Sequence, residues 1–515
     1  MKKYSFIKDI LILIIVCVCI FGSIFLYSGK VKSGDTRTKV TIAVCDDYYV
    51  KNFNNNYYTN WLEEQTGYNI EFVSAFSEYE KEYLTSMLNA DNSSVDAVFL
   101  PNGNSIYSED EFYELISKGQ IERLNEYIDE NSSLKPIIED YPQSLSMNDR
   151  TVSDIWFIPQ IDTRRVNRNM QVLWINMGWL KKLSLQIPQT TEELADVLTA
   201  FKTMDPNENG LPDEIPLVSN NSQSALQTQN FLLNAFILTD VDRLYLKNTE
   251  NKIIDVCTTE AFREGLIYCN SLLRKGLLSS NTPDFSEKQL KELINSDKDL
   301  VGAFTCHRIS DVIYPDSSEV LARYIQVPPL KGPNGEQNSV LLNESYGIGG
   351  YIPSNAKHKK EAFEVMELMM TKEASLISAY GEQDVDWRYS ESGELSSYGN
   401  PSSITTINYL PKTVQNKHFN GAGPYFLPEA YSNDISWNGE NSLMEYLDAR
   451  AARVNENHYS DKTVDSETLN NYSFLRHISK ETSDYINDFI YGRKDIYSDE
   501  EWSRFVRFRE NGGDL

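Results

Sequence analysis

A chain of 515 residues is too long for a single ordinary core and predicts two or more domains. Hydrophobic residues at 41% and aromatics at 12% support a folded protein, and no repeat, Pro-rich tract or long Gly/Ser linker interrupts it. The net charge is −27; Lys2, Lys3 and Lys8 against Asp9 give the first 28 residues +2, so the remainder carries −29 and nucleic acid is disfavoured as a partner.

The first element in chain order is an apolar run at Ile10–Tyr27, about 18 residues and ~27 Å long as a helix, which reads as a membrane segment. Val16 before Cys17 and Val18 before Cys19 fit a lipobox poorly, and no A-x-A-like site follows. An uncleaved anchor at residues 1–28 is therefore favoured over a lipidated Cys. Lys39–Val44 then alternates as a strand, Tyr57–Thr66 reads as a helix, Asn69–Val73 as a strand, Tyr79–Ala90 as a helix and Val95–Leu100 as an apolar strand. That β-α-β-α-β order implies parallel strands with crossover helices, and ligands of such open sheets lie beyond the carboxyl ends of the strands. The loops there are Asp46-Asp47-Tyr48-Tyr49 and Asn102-Gly103-Asn104.

Further along, apolar residues continue at helical spacing behind Thr190 as far as Phe201, and Trp179 lies on a similar stripe with Leu180 and Leu183, suited to a core. Asp205-Pro206-Asn207-Glu208-Asn209-Gly210-Leu211-Pro212-Asp213-Glu214 follows. It offers oxygen side chains at its first, third and fifth positions, the Leu211 carbonyl at the seventh and a carboxylate at the ninth, around a glycine that permits a sharp turn. That register resembles the first part of an EF-hand loop, since calcium takes six to eight oxygen ligands. It departs at the twelfth position, where Pro216 replaces the bidentate Glu, so flanking EF helices are not implied.

Leu300–Thr305 and Ala322–Val327 read as strands, Gly332–Gln337 as a turn and Lys359–Met370 as a helix. Tyr346-Gly347-Ile348-Gly349-Gly350 has the glycines of a tight backbone bend without the spacing of a dinucleotide loop. Trp387 and Trp437 stand in polar, Gly- and Asn-containing loops rather than on an apolar stripe. Arg164-Arg165 with Arg168 is the only interior basic cluster that could meet an anionic ligand. Cys45, Cys257, Cys269 and Cys306 are scattered without C-x-x-C spacing and read as buried single thiols. No G-x-S-x-G, H-E-x-x-H or P-loop motif occurs, and the five His are isolated from one another.

The segment from Trp174 to Lys202, WINMGWLKKLSLQIPQTTEELADVLTAFK, followed by DPNENGLPDEIPL at Asp205–Leu217, resembles the family 1 extracellular solute-binding proteins of carbohydrate ABC importers, in particular their long oligosaccharide-binding branch. Glu114–Ile128, Thr258–Leu278, Val327–Gly335 and Tyr485–Ile496 continue the resemblance in order over nearly the whole chain.

The resemblance implies an α/β, two-lobed clamp with a hinge, residues 38–165 plus 306–360 forming lobe one and 166–305 plus 361–515 lobe two. It implies a monomer that captures an oligosaccharide between the lobes, outside the cell membrane, for ABC permease subunits, with no bond broken. A surface glycan sensor or adhesin, or an extracellular carbohydrate-active enzyme, is the alternative. Expected ligand contacts are Tyr48, Asn102, Asn104 and Arg164, together with Trp174, Tyr346, Trp387 and Trp437. A structural Ca2+ is expected on the side chains of Asp205, Asn207, Asn209, Asp213 and Glu214 and the carbonyl of Leu211.

Overall fold

The computed structural model describes residues 35–513 apart from 76–79, 89–94, 103–105, 146–153, 169–170, 221–226, 250–251, 281–285, 315–316, 343, 397–398, 410–412, 430, 432–434, 439–442, 461 and 463. The apolar run at Ile10–Tyr27 lies outside them. Among the described residues no helix is long and apolar enough to cross a membrane.

Two compact units emerge. One comprises the described residues up to Pro159 with Gly347–Ala374 and Val414–Pro424, the other Gln160–Tyr346, Ser375–Thr413 and Tyr425 onward. The chain changes unit five times, twice inside strands, Ile158–Asp162 and Ser345–Tyr351, and once inside the helix Lys372–Tyr380.

In the smaller unit, strand β1 (Lys39–Cys45) pairs in parallel with β2 (Asn69–Ala75), Ile42 opposite Phe72, and with β3 (Ala97–Phe99), Ile42 opposite Ala97. Parallel neighbours require a crossover, and helices α1 (Tyr57–Thr66) and α2 (Glu80–Leu88) supply them. Helix α1 starts at Asn56, whose side chain accepts the Tyr58 amide, and stops at Gly67 in the left-handed region at φ +74°. Such a cap is worth about 1 kcal/mol. The helix buries Tyr58, Trp61 and Leu62. Ala43, Val98, Leu84, Phe112 and Tyr351 share one dry core.

Ser345–Tyr351 pairs antiparallel with β3, Gly350 opposite Phe99. Its glycines were expected to bend the chain, but they lie in a strand. A Cβ at Gly349 would sit 2.7 Å from the Pro424 Cα, and one at Gly350 2.9 Å from the Met366 sulfur. Close packing, rather than turning, selects glycine here.

In the larger unit Val172–Asn176 is the centre of a three-stranded antiparallel sheet, flanked by Ala303–Cys306 and Tyr324–Val327. Residues 306–346 were expected in lobe one. They belong to the larger unit because those two flanking strands pair with the same central strand, and the chain returns only at Gly347. Likewise 361–374 and 414–424, expected in lobe two, belong to the smaller unit.

A core including Trp179, Phe201, Phe262, Leu266, Phe489 and Phe505 is built largely from the helices Thr191–Thr203, Glu260–Arg274, Ser479–Ile490 and Asp499–Glu510. Trp179 fulfils its expected core role: its ring meets Phe201 edge-on at 5.1 Å, and its Nε1–H donates to Asp299 at 2.9 Å. Cys45, Cys257, Cys269 and Cys306 are buried and form no disulfide.

Candidate functional site

Within the larger unit, three aromatic rings converge from three segments. Tyr380 ends the helix Lys372–Tyr380, Tyr409 follows the strand Ile404–Thr406 and Trp437 follows the strand Ile435–Ser436. Their centroids are separated by 5.7 Å (Tyr380 to Tyr409), 6.0 Å (Tyr380 to Trp437) and 6.1 Å (Tyr409 to Trp437). Tyr380 is buried, whereas Tyr409 and Trp437 are half-buried. The Trp437 Nε1–H is enclosed yet finds no hydrogen-bond partner among the described residues. A buried indole donor left unpaired costs about 1–3 kcal/mol, so this atom is suited to an incoming acceptor.

A charged network runs beside the rings. Arg164 grips Asp162 through two parallel bonds of 2.9 and 2.7 Å and donates to the Tyr380 hydroxyl at 3.4 Å. Asn167 donates to Asp162 at 2.7 Å and accepts from Arg308 at 3.2 Å. Arg308 in turn holds Glu445 at 2.5 Å and Asp448 at 3.2 Å. Burial opposes the charge on both guanidiniums, but Asp162, and Glu445 with Asp448, outweigh it and keep them protonated. Burial raises both tyrosine hydroxyls, which stay neutral donors. Burial also pushes Asp448 up to about 7, with Glu445 adding to the shift. Rings that offer an apolar face beside oriented polar groups are suited to bind a sugar's C–H surface and hydroxyl rim.

The structure brings Arg164 and Trp437 to this surface and not the other expected contacts. Trp387 is fully buried, with its indole N–H bonded to the Gly381 carbonyl at 2.9 Å, because the polar loop around it folds into the strand Trp387–Tyr389. Trp174 is likewise fully buried in the second hydrophobic core of this unit, on the central strand. Tyr346 is half-buried and donates to Glu344. Tyr48 stands in the smaller unit at 82% exposure, and Asn102 lies there too. Asn104 lies outside the described residues. Sequence reasoning missed Tyr409, Arg308 and Glu445. Glu445 and Asp448, three apart on the helix Leu443–Glu456, were the signal available, lost among 75 acidic residues.

The acidic loop closes on itself. The Asp205 carboxylate accepts the Asn209 amide at 3.1 Å and the Gly210 amide at 3.0 Å, while Asn209 donates to Asp213 at 2.9 Å. Asp205 and Glu208 both adopt left-handed φ, +45° and +58°, a strain that oxygen-rich loops hold only where the fold over-determines it. The Glu214 Oε1 is enclosed without a partner, and burial followed by the Asp205 and Asp213 carboxylates raises its pKa. Two neighbouring carboxylates acting on the unsatisfied Glu214 oxygen are a condition that a cation held with the loop's amide and carbonyl oxygens would relieve. Among the described residues no group of three or more His, Cys, Asp or Glu gathers as a metal site; this loop's donor set mixes carboxylate, amide and carbonyl oxygens.

No family model matches the chain. It has the fold of the extracellular solute-binding proteins: a protein of that description from Bifidobacterium longum subsp. infantis superposes with a TM-score of 0.70 at 19% identity, over 93% of this chain and 96% of that one. In sequence it is similar to the fructooligosaccharide ABC transporter substrate-binding protein FusA of Streptococcus pneumoniae, 27% identical over 292 residues, 55% of this chain and 51% of that one. The chain thus spans about half the length of the curated relatives it matches. FusA in complex with kestose superposes with a TM-score of 0.66 at 21% identity, over 92% and 96% of the two chains. An EF-hand mutant of FusA with fructo-nystose superposes at 0.64 with 20% identity, over 92% and 96%. These are binding proteins rather than enzymes.

Proposed function

We propose that this protein is the extracellular substrate-binding component of an ABC importer and captures an oligosaccharide without altering it. The observation that carries the reading is the surface made by Tyr380, Tyr409 and Trp437, with the unpaired Trp437 N–H and the Arg164 guanidinium alongside. Aromatic faces cover the sugar's C–H patches, and the indole and guanidinium N–H groups donate to hydroxyl oxygens. The similarity to FusA supports this role. Permease subunits are the partners this function requires, and residues 1–28 are the segment that would hold the protein at the membrane.

We further infer that Ca2+ fills the Asp205–Glu214 loop as a structural ion. Asp205, Asn207, Asn209, Asp213 and Glu214 would hold it with the Leu211 carbonyl, and its charge would offset the crowded carboxylates. The EF-hand of FusA supports this reading. A thermal-shift screen against oligosaccharides, followed by recovery of the bound sugar, tests the function. At least one oligosaccharide is expected to raise the melting temperature and to be recovered intact. Cleaved sugar, or no shift across the panel, would refute it.

A further inference from the structure

We propose that the aromatic surface of the larger unit selects uncharged oligosaccharides and excludes those carrying uronate carboxylates; this rests on the reading that Tyr380, Tyr409 and Trp437 bind sugar. Among the described residues, the arginines of the network beside the rings, together with Arg168, are already matched. Arg164 is held in two-point contact by Asp162, Arg168 pairs with Glu344 at 3.5 Å, and Arg308 is shared by Glu445 and Asp448. Two guanidiniums, Arg164 and Arg308, therefore stand among three carboxylates, and the local charge is neutral or negative whichever state Asp448 adopts.

A uronate entering here would shed its water without gaining a free cation and would lie near like charge. Either effect disfavours it by kcal/mol-scale amounts. A hydroxyl has no such difficulty, since it needs only the Trp437 N–H or the Arg164 N–H groups. The remaining charge of the chain, −29 beyond residue 28, acts in the same direction at long range.

Titration calorimetry of the full chain with neutral tri- to pentasaccharides and with oligogalacturonates of the same lengths tests this. The neutral set should contain ligands at least about tenfold tighter than any oligogalacturonate, a gap of ~1.4 kcal/mol. High salt should narrow the gap by screening the repulsion. Asp162→Asn, which leaves Arg164 unmatched, should narrow it further at low salt; a melting curve shows whether that variant is folded, and the salt series on the wild type stands independently of it. Oligogalacturonates binding as tightly as the neutral sugars, with no salt effect, would overturn the proposal while leaving the sugar-binding function intact. Binding of neither set would remove the sugar-binding reading itself and this selectivity with it.

Discussion

Trp437 and Trp179 illustrate the two tasks an indole performs. Trp179 has its N–H bonded to Asp299 and its ring packed on Phe201, so truncation removes core contacts and should cost about 3–5 kcal/mol of stability. Trp437 is half-buried with its donor unpaired, so Trp437→Ala should weaken oligosaccharide binding while the melting temperature stays near that of the wild type. Calorimetry and melting curves on the two variants check this; normal affinity in Trp437→Ala would move the binding surface elsewhere. Trp387 belongs with Trp179: buried with its N–H satisfied, it should report in melting first. Asp448 supplies a pH signature at the same scale. Its folded pKa of about 7 lies above the ordinary 3.8, so its contribution to stability is fully present at low pH and is lost as pH rises from about 4 through about 7. Asp448→Asn should flatten the dependence of melting temperature on pH across that window, and an unchanged slope would show that another group titrates there.

The acidic loop is the element whose chemistry was most legible in the sequence, because spacing alone placed oxygens around a glycine. The structure adds what spacing cannot show, namely two non-glycine residues at left-handed φ and an enclosed Glu214 oxygen without a donor. Ca2+ about a hundredfold above its Kd should stabilise the fold by roughly 2.7 kcal/mol, as mass action requires of a ligand bound only by the folded state. Chelation should therefore lower the melting temperature of the wild type and leave Asp205→Ala unmoved; equal responses would make the loop an ordinary turn. Helices with apolar periodicity and caps, such as Tyr57–Thr66 and Thr191–Thr203, were readable almost to the residue. The strand Trp387–Tyr389 was not, because three residues amid Asp, Glu, Gly and Ser carry no period of their own and take their burial from partners at Ile404–Thr406.

At the scale of the whole chain, the β-α-β-α-β opening anticipated the parallel strands, yet the unit boundaries fell elsewhere, the first earlier than residue 165 and the next two later than residues 306 and 360. A strand's sheet is chosen by its neighbours, and nothing in Tyr324–Val327 itself says that it pairs with Val172–Asn176 rather than with the first sheet. The proposed binding surface was only half readable for the same reason: Arg164, Tyr380, Tyr409 and Trp437 are far apart in sequence, and only tertiary folding makes them neighbours.

The four buried thiols, none of them in a disulfide, carry a consequence for folding. Burial raises Cys257 and Cys269, the latter to about 12, so neither presents a reactive thiolate while the fold is closed. Cys45 lies in the smaller unit and Cys257, Cys269 and Cys306 in the larger, so each unit contains its own internal chemical clock. Maleimide should leave these four unlabelled in the native protein, and in graded denaturant Cys45 should react in a phase distinct from the other three; a single common phase would mean the units open as one. These four thiols would then be indifferent to the surrounding redox potential in the folded protein and exposed to it in the unfolded chain, so at these positions oxidants should penalise slow folding rather than the finished fold.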